Sequence, residues 1–221
     1  MNCLLVAATT KEIAPFLDRY RADAGNTQVD VLITGVGLTA TTYSLAKQVG
    51  LKKPDLVIQA GIAGCFDSNI SLGSVVVISQ DIIADMGVTE HNQLNTVFDM
   101  GLIDANRFPF NKGWLVNPNS KLIQQSGLKA VNAVSVNQIT TSKQMIESYI
   151  GKFDPVVESM EGAALHYVCL QEKIPFLQLR SISNYIGERD KKKWKIKDAI
   201  LNLNLNLNLN LNLNLNLNLQ L

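Results

Sequence analysis

"DLVIQAG", residues 55–61, decides the fold. Leu56, Val57 and Ile58 follow one another without a polar residue between them, and a glycine closes the run soon after. An uninterrupted apolar run of this length fits a strand covered on both faces better than one with a wet face. "VDVLITG" at 29–35 has the same character, and "NCLLVAA" at 2–8 opens the chain with another such run. Between them lie helical patterns, one from Lys11 to about Ala22 and one over "LTATTYSLAKQVG" at 38–50. Apolar strands alternating with helices specify an α/β domain built on a largely parallel sheet.

The pattern continues outward. "GSVVVISQDIIAD" (73–85), "KAVNAVSV" (129–136) and "PFLQLRSIS" (175–183) are strand-like. Helices are expected near Ser142–Gly151 and over "SMEGAALHYVCLQEK" (159–173). Residues 86–128, scattered with Gly, Pro and Asn, read as a long excursion, and loops of that length are often functional. One domain over 1–200 accounts for this part of the chain. From Leu201 to Leu221 leucine alternates with asparagine, a low-complexity tail with no function assigned. Strict period two suits a strand with one apolar face, and Asn is a poor helix former.

Composition narrows the function. Twenty Lys and Arg against nineteen Asp and Glu give a formal charge of +1, with no basic block able to track a phosphate backbone, so nucleic acid is not an expected partner. No apolar run approaches the ~20 residues of a membrane span, and the start has no cationic leader. Cys3, Cys65 and Cys169 lack CxxC spacing, which favours reduced thiols in a cytoplasmic protein over a disulfide framework or a zinc site. His91 and His166 have no paired spacing, and no metal is expected.

The chemistry is expected at strand ends, where a parallel sheet gathers its polar residues. "TGVG" (34–37) and "AGIAGC" (60–65) are glycine-bearing turns after strands, but GxGxxG with a following acid is absent, which disfavours a dinucleotide. Glu12 follows the first strand, Glu158 and Glu161 open a helix, and Asn184 ends the last strand. Glu161 shares a helix face with Ala164, Leu165 and Val168, so its carboxylate points inward and requires a partner. Two carboxylates and an amide in one cleft suit cleavage of a glycosidic bond, one carboxylate activating water and another group stabilising an oxocarbenium-like transition state.

"LLVAATTKEI" (4–13), "LITGVG" (32–37), "IQAGIAG" (58–64), "LGSVVVI" (72–78), "ESMEGAA" (158–164) and "LRSISN" (179–184), in this order, resemble the nucleoside phosphorylase and nucleosidase superfamily. "SMEGAALHYVC" and "RSISNYIGERD", with the excursion "DMGVTEHNQLNTVFDMGL", resemble its futalosine hydrolase branch. The resemblance covers residues 3–200 and implies a three-layer α/β/α sandwich around a mixed, partly closed β-sheet. The tail lies outside it, so the family's closing helix is expected to be missing. Glu12 would activate the attacking water, Glu161 would accept ribose hydroxyls without a protein cation, Met160 would pack on the sugar, and Ile139, Gly61 and Gly64 would border the substrate. Glu158 has no clear counterpart, because "ESME" spaces its glutamates one residue wider than the "EME" of adenosine-type relatives.

Asn184 stands where adenosine-type relatives carry Asp. An amide offers a donor to a 6-oxo oxygen and an acceptor to N7–H, so a 6-oxopurine suits it better. The resemblance therefore implies a hydrolase releasing hypoxanthine from futalosine for menaquinone synthesis, cytoplasmic, without a cofactor, and a homo-oligomer. The absence of arginine in "AATTKE" favours water over phosphate as nucleophile. The alternatives are a methylthioadenosine/S-adenosylhomocysteine nucleosidase and a non-catalytic nucleoside-binding protein. Phe98, Phe108 and Phe110 would line a 5′ pocket or form a satellite core.

Overall fold

The computed structural model describes residues 2–19, 28–91 and 93–216, with side chains left undescribed at 28 and 209–216. The strands are β1 (Asn2–Ala7), β2 (Gln28–Ile33), β3 (Leu56–Cys65), β4 (Val75–Ile83), β5 (Gly87–Glu90), β6 (Gln93–Thr96), β7 (Leu115–Val116), β8 (Lys129–Ser135), β9 (Val157–Ser159) and β10 (Phe176–Tyr185). The helices are α1 (Thr10–Arg19), α2 (Leu38–Leu51), α3 (Ser120–Gln125), α4 (Lys143–Phe153), α5 (Gly162–Gln171) and α6 (Ile196–Asn216). The last residues of the first expected helix, 20–22, lie outside the described residues.

The main sheet runs β10-β4-β8-β9-β3-β1-β2, with β7 on β4. β10 also pairs with β3, so five strands close on themselves while β1 and β2 extend as an open flap. β1, β2, β3 and β10 run parallel, as do β4, β8 and β9, and the two groups meet through the antiparallel pairs β10–β4 and β3–β9. The sheet is thus mixed and partly closed, as expected.

Burial explains why these runs are strands. Leu56, Val57 and Ile58 have no exposed surface, and on the face carrying Leu56 and Ile58 they pack with Leu5, Ile13, Phe16, Leu177 and Leu179. Val57 faces the other way, toward Leu165, Val168 and Cys169 of α5. Both faces are therefore covered, and alternating polarity would have been penalised.

The tail departs from the sequence expectation. Its repeat up to Asn216 is helical, not a strand, and α6 supplies the closing helix expected to be missing. Leu203 and Leu207, one helical turn apart, are fully buried in the same cluster as Ile13 and Phe16, whereas Leu201 and Leu205 stay exposed. Leucines at odd positions encircle a helix, and the sheet needs only those at i and i+4. Tertiary burial overrides the low helix propensity of Asn. Residues 217–221 lie outside the described residues.

The long excursion holds the β5–β6 hairpin, β7 and α3. Phe98 and Phe110 stack edge to face at 5.1 Å in a satellite core, and Phe108 is exposed. No described helix is long and apolar enough to cross a membrane.

Candidate active site

A cavity of ≈ 370 Å³ opens where the ends of β1, β3, β9 and β10 meet. Its polar lining includes Glu12, Glu158, Glu161 and Asn184, and its apolar lining includes Val36, Ile139, Met160, Ile186, Ile196 and Ile200. Strand ends far apart in sequence are adjacent here because β3 lies beside β1, β9 and β10.

Glu12 sits in the first turn of α1, only 8 % exposed. One of its oxygens accepts from the Thr9 backbone N–H at 2.9 Å and the Thr9 hydroxyl at 3.0 Å, and the other from the Ile62 N–H at 3.2 Å. A carboxylate offers about four lone-pair positions, so these three bonds fix its orientation and still leave capacity toward the cavity.

Glu161 caps the start of α5 with 6 % exposure. Oε1 accepts from the Gly37 N–H at 3.1 Å, at the turn that begins α2, so the "TGVG" turn binds this carboxylate. Oε2 lies 3.6 Å from Nη1 of Arg180, itself 1 % exposed. The expectation that no protein cation serves Glu161 is therefore overturned. Arg180 had the same sequence signature as Glu161, a charged residue inside an apolar run, and such a residue must find a partner.

Arg180 heads a buried polar chain. Nη2 donates to Gln59 Oε1 at 2.8 Å and Nε to Gln178 Oε1 at 3.0 Å. Gln178 Nε2 donates to Asp81 Oδ2 at 3.0 Å, and Asp81 Oδ1 accepts from Ser135 Oγ at 2.9 Å. Burial pushes the Asp81 carboxyl up to about 7, against the opposing pull of Ser135 and Arg180. Gly61 belongs to this arrangement rather than to the cavity wall, contrary to expectation. A Cβ there would collide with Arg180 Nη1 and stand 3.0 Å from Glu12 Oε1. Gly64 does line the cavity, and a Cβ there would strike Ile186.

Glu158 lies in β9, not at the helix start, because the wider spacing places strand residues before the turn. Oε1 accepts from the Thr140 N–H at 3.0 Å, Oε2 is buried without a hydrogen-bond partner among the described residues, and burial raises the pKa of the carboxyl. Asn184 follows a register shift in β10 that pairs it with Gly64. Such a bulge re-aims a side chain. Its Oδ1 accepts from Ser183 Oγ at 2.8 Å and its Nδ2 donates to Tyr185 O at 3.1 Å, leaving one N–H for a ligand.

Met160 and Ile139 line the cavity, whereas Phe98, Phe108 and Phe110 do not. Trp194, Ile196 and Ile200 also line it, and nothing in "WKIKDAI" (194–200) marked them. His166 is fully buried, its Nδ1 2.8 Å from Leu115 O, so it is a core residue, and burial pushes its pKa down to about 4.

The family model described as the phosphorylase superfamily matches residues 5–213, which takes in most of α6. Futalosine hydrolase of Thermus thermophilus is 27 % identical over 206 residues, covering 89 % of each chain. 5'-Methylthioadenosine/S-adenosylhomocysteine nucleosidase of Haemophilus ducreyi is 29 % identical over 169 residues, covering 75 % of this chain and 71 % of the relative. Among solved structures, the methylthioadenosine/S-adenosylhomocysteine nucleosidase of Helicobacter pylori with butyl-thio-DADMe-Immucillin-A superimposes with a TM-score of 0.79 at 19 % identity, covering 96 % of this chain and 98 % of that one. Futalosine hydrolase of the same organism gives 0.77 at 17 % identity, covering 96 % and 97 %.

Proposed function

The chain belongs to the phosphorylase superfamily as an enzyme of the nucleosidase type, and we propose that it hydrolyses the N-glycosidic bond of futalosine, releasing hypoxanthine for menaquinone synthesis. The observation that carries this reading is the convergence of Glu12, Glu161 and Asn184 on one cavity of ≈ 370 Å³, within the size range of small-molecule sites.

Each group has a distinct task. Glu161, held by Gly37 and Arg180, accepts the ribose hydroxyls. Asn184 donates its remaining N–H to the 6-oxo oxygen, and its carbonyl accepts from N7–H once the departing purine has taken a proton there from solvent water. The bond to the 6-oxo oxygen strengthens as the C1′–N bond breaks and its electron pair moves into the purine. Glu12 takes a proton from water, whose oxygen adds to the cationic C1′. Met160 and Ile139 flank the sugar and base. Water is favoured over phosphate because Arg180 is committed to Glu161, Gln59 and Gln178, which leaves Lys11 as the lone cation on the cavity wall among the described residues. A single ammonium lacks the bidentate geometry for phosphate.

The same reading makes the protein a cytoplasmic homo-oligomer. Val31, Ile33, Val36 and Tyr43, exposed around β2 and α2, support subunit pairing there, beside the cavity that Val36 lines. A methylthioadenosine/S-adenosylhomocysteine nucleosidase remains the second reading, favoured by the identity to the Haemophilus ducreyi relative.

Chromatography of the released base separates these readings. Futalosine should yield hypoxanthine at the same rate with and without phosphate, and methylthioadenosine should yield little adenine. Adenine as the preferred product supports the second reading, and release that depends on phosphate removes hydrolysis. Asn184→Asp should lower the ratio of 6-oxopurine to 6-aminopurine turnover by at least about tenfold, the equivalent of one hydrogen bond of about 1.5 kcal/mol. An unchanged ratio removes the base-reading role of Asn184.

A further inference from the structure

Within α1 the Phe16 N–H donates to Oδ1 of Asn204 at 2.9 Å, and Nδ2 of Asn204 donates to the carbonyl oxygen of Glu12 at 2.8 Å. Residues 12 and 16 are four apart, so these are the two backbone groups that an uninterrupted α-helix joins to each other. Here an amide of α6, 188 residues beyond Phe16, bridges them. Pro15 lies between, inside the helix. The ring of Pro15 lacks an N–H and crowds the Lys11 carbonyl four residues earlier, next to the Glu12 carbonyl, and side chains inserted into the ladder accompany the bends that prolines cause.

Asn204 fits this gap through its chemistry. One planar group supplies both an acceptor and two donors, and its other N–H is held by the Ile200 carbonyl at 2.7 Å, so Nδ2 is spent on two partners. The residue is 2 % exposed. Its neighbours divide the remaining work of α6: Leu203 and Leu207 enter the core, Ile196 and Ile200 face the cavity, and Asn202 donates to Gly73 O, away from α1.

We propose that Asn204 is a positioning residue that holds the backbone at Glu12, and through it the carboxylate's aim into the cavity. The inference rests on Glu12 being the base of the proposed hydrolysis. Thr9 and Ile62 hold the carboxylate tip, whereas Asn204 holds the backbone from which it springs. A base displaced by about 1 Å loses on the order of 100-fold in rate.

The test combines turnover with amide exchange on the full chain. Asn204→Leu should lower kcat for base release by about 10- to 100-fold with KM changed less than about threefold. In the Glu12→Gln background the same substitution should cost less than about twofold, because the base it positions is already gone. Hydrogen exchange at the Phe16 amide, read without substrate, should accelerate at least about tenfold in Asn204→Leu and not in Asn202→Leu. Asn204→Ala removes the same groups without added bulk and carries the test should the leucine variant not fold. An unchanged kcat, a full loss persisting in the Glu12→Gln background, or unaltered Phe16 exchange each overturns the proposal. Should Glu12→Gln leave turnover intact, the base assignment falls and positioning of a base falls with it, while Phe16 exchange separately decides whether Asn204 bridges α1.

Discussion

Glu12→Gln should lower turnover by about 100- to 10,000-fold, the usual worth of a general base, while leaving substrate affinity nearly intact. The split follows from the division of labour in the cavity. Ribose hydroxyls are assigned to Glu161 and the base to Asn184, so Glu12 contributes chiefly when water loses its proton, and an interaction made only in the transition state lowers kcat without raising KM. Glutamine has the right shape but not the right surroundings. All three groups holding the Glu12 carboxylate, the Thr9 N–H, the Thr9 hydroxyl and the Ile62 N–H, are donors. An amide must therefore set its NH2 against at least one of them, which adds a modest loss of stability. Single-turnover release of the base, with ligand protection against thermal unfolding as the measure of affinity, checks both halves. Turnover within threefold of the parent protein removes Glu12 from the chemistry, and a matching loss of affinity reassigns it to substrate binding.

The strand order of the central sheet was not written in any single run, but the existence of its parallel strands was. Leu56, Val57 and Ile58 are apolar in succession because β3 is buried on both faces, and that burial leaves its mark on adjacent letters. The closure of the sheet left no such mark, since it depends on β10 pairing with both β3 and β4, and pairing partners are not encoded locally. That Glu12, Glu161 and Asn184 lie at element ends was legible in the sequence, because each places a polar group beside an apolar run, while their proposed roles came from the family resemblance. Arg180 carried the same signal and was read as part of a strand, although a guanidinium with 1 % exposure implies a carboxylate nearby. The Leu-Asn repeat misled for a physical reason. Period two matches a strand, yet a helix that needs burial only at Leu203 and Leu207, with Asn204 finding partners on α1, accepts the same letters. Local propensity then decides little against tertiary packing.

Arg180→Met should destabilise the protein by about 3–5 kcal/mol, the cost of leaving a buried charge without its partner, which for a chain of this size lowers the melting temperature by about 6–20 °C. Methionine fills much of the volume, so loss of charge is the main change. The guanidinium stands between two carboxylates, Glu161 at 3.6 Å and, through Gln178, Asp81. The sign of the pH dependence follows from Asp81. Its folded pKa of about 7 lies above the ordinary value of 3.8, mainly because of burial. The folded state therefore binds more protons than the unfolded one between these values, and this group's contribution is most favourable below about 4 and worsens as pH rises through about 7. Arg180 opposes the shift, so its removal raises the Asp81 pKa further and takes away the ion pair of Glu161. The deficit of the variant should thus be smaller at pH 5 than at pH 8. His166 acts in the opposite sense, since burial holds it neutral down to about 4 and the unfolded chain takes up its proton below 6.5. That contribution is dominated by burial in both proteins and largely cancels in their difference. Melting curves of parent and variant at the two pH values decide the matter. A deficit equal at both assigns Arg180 to packing alone and breaks the electrostatic link from Asp81 to the Glu161 carboxylate.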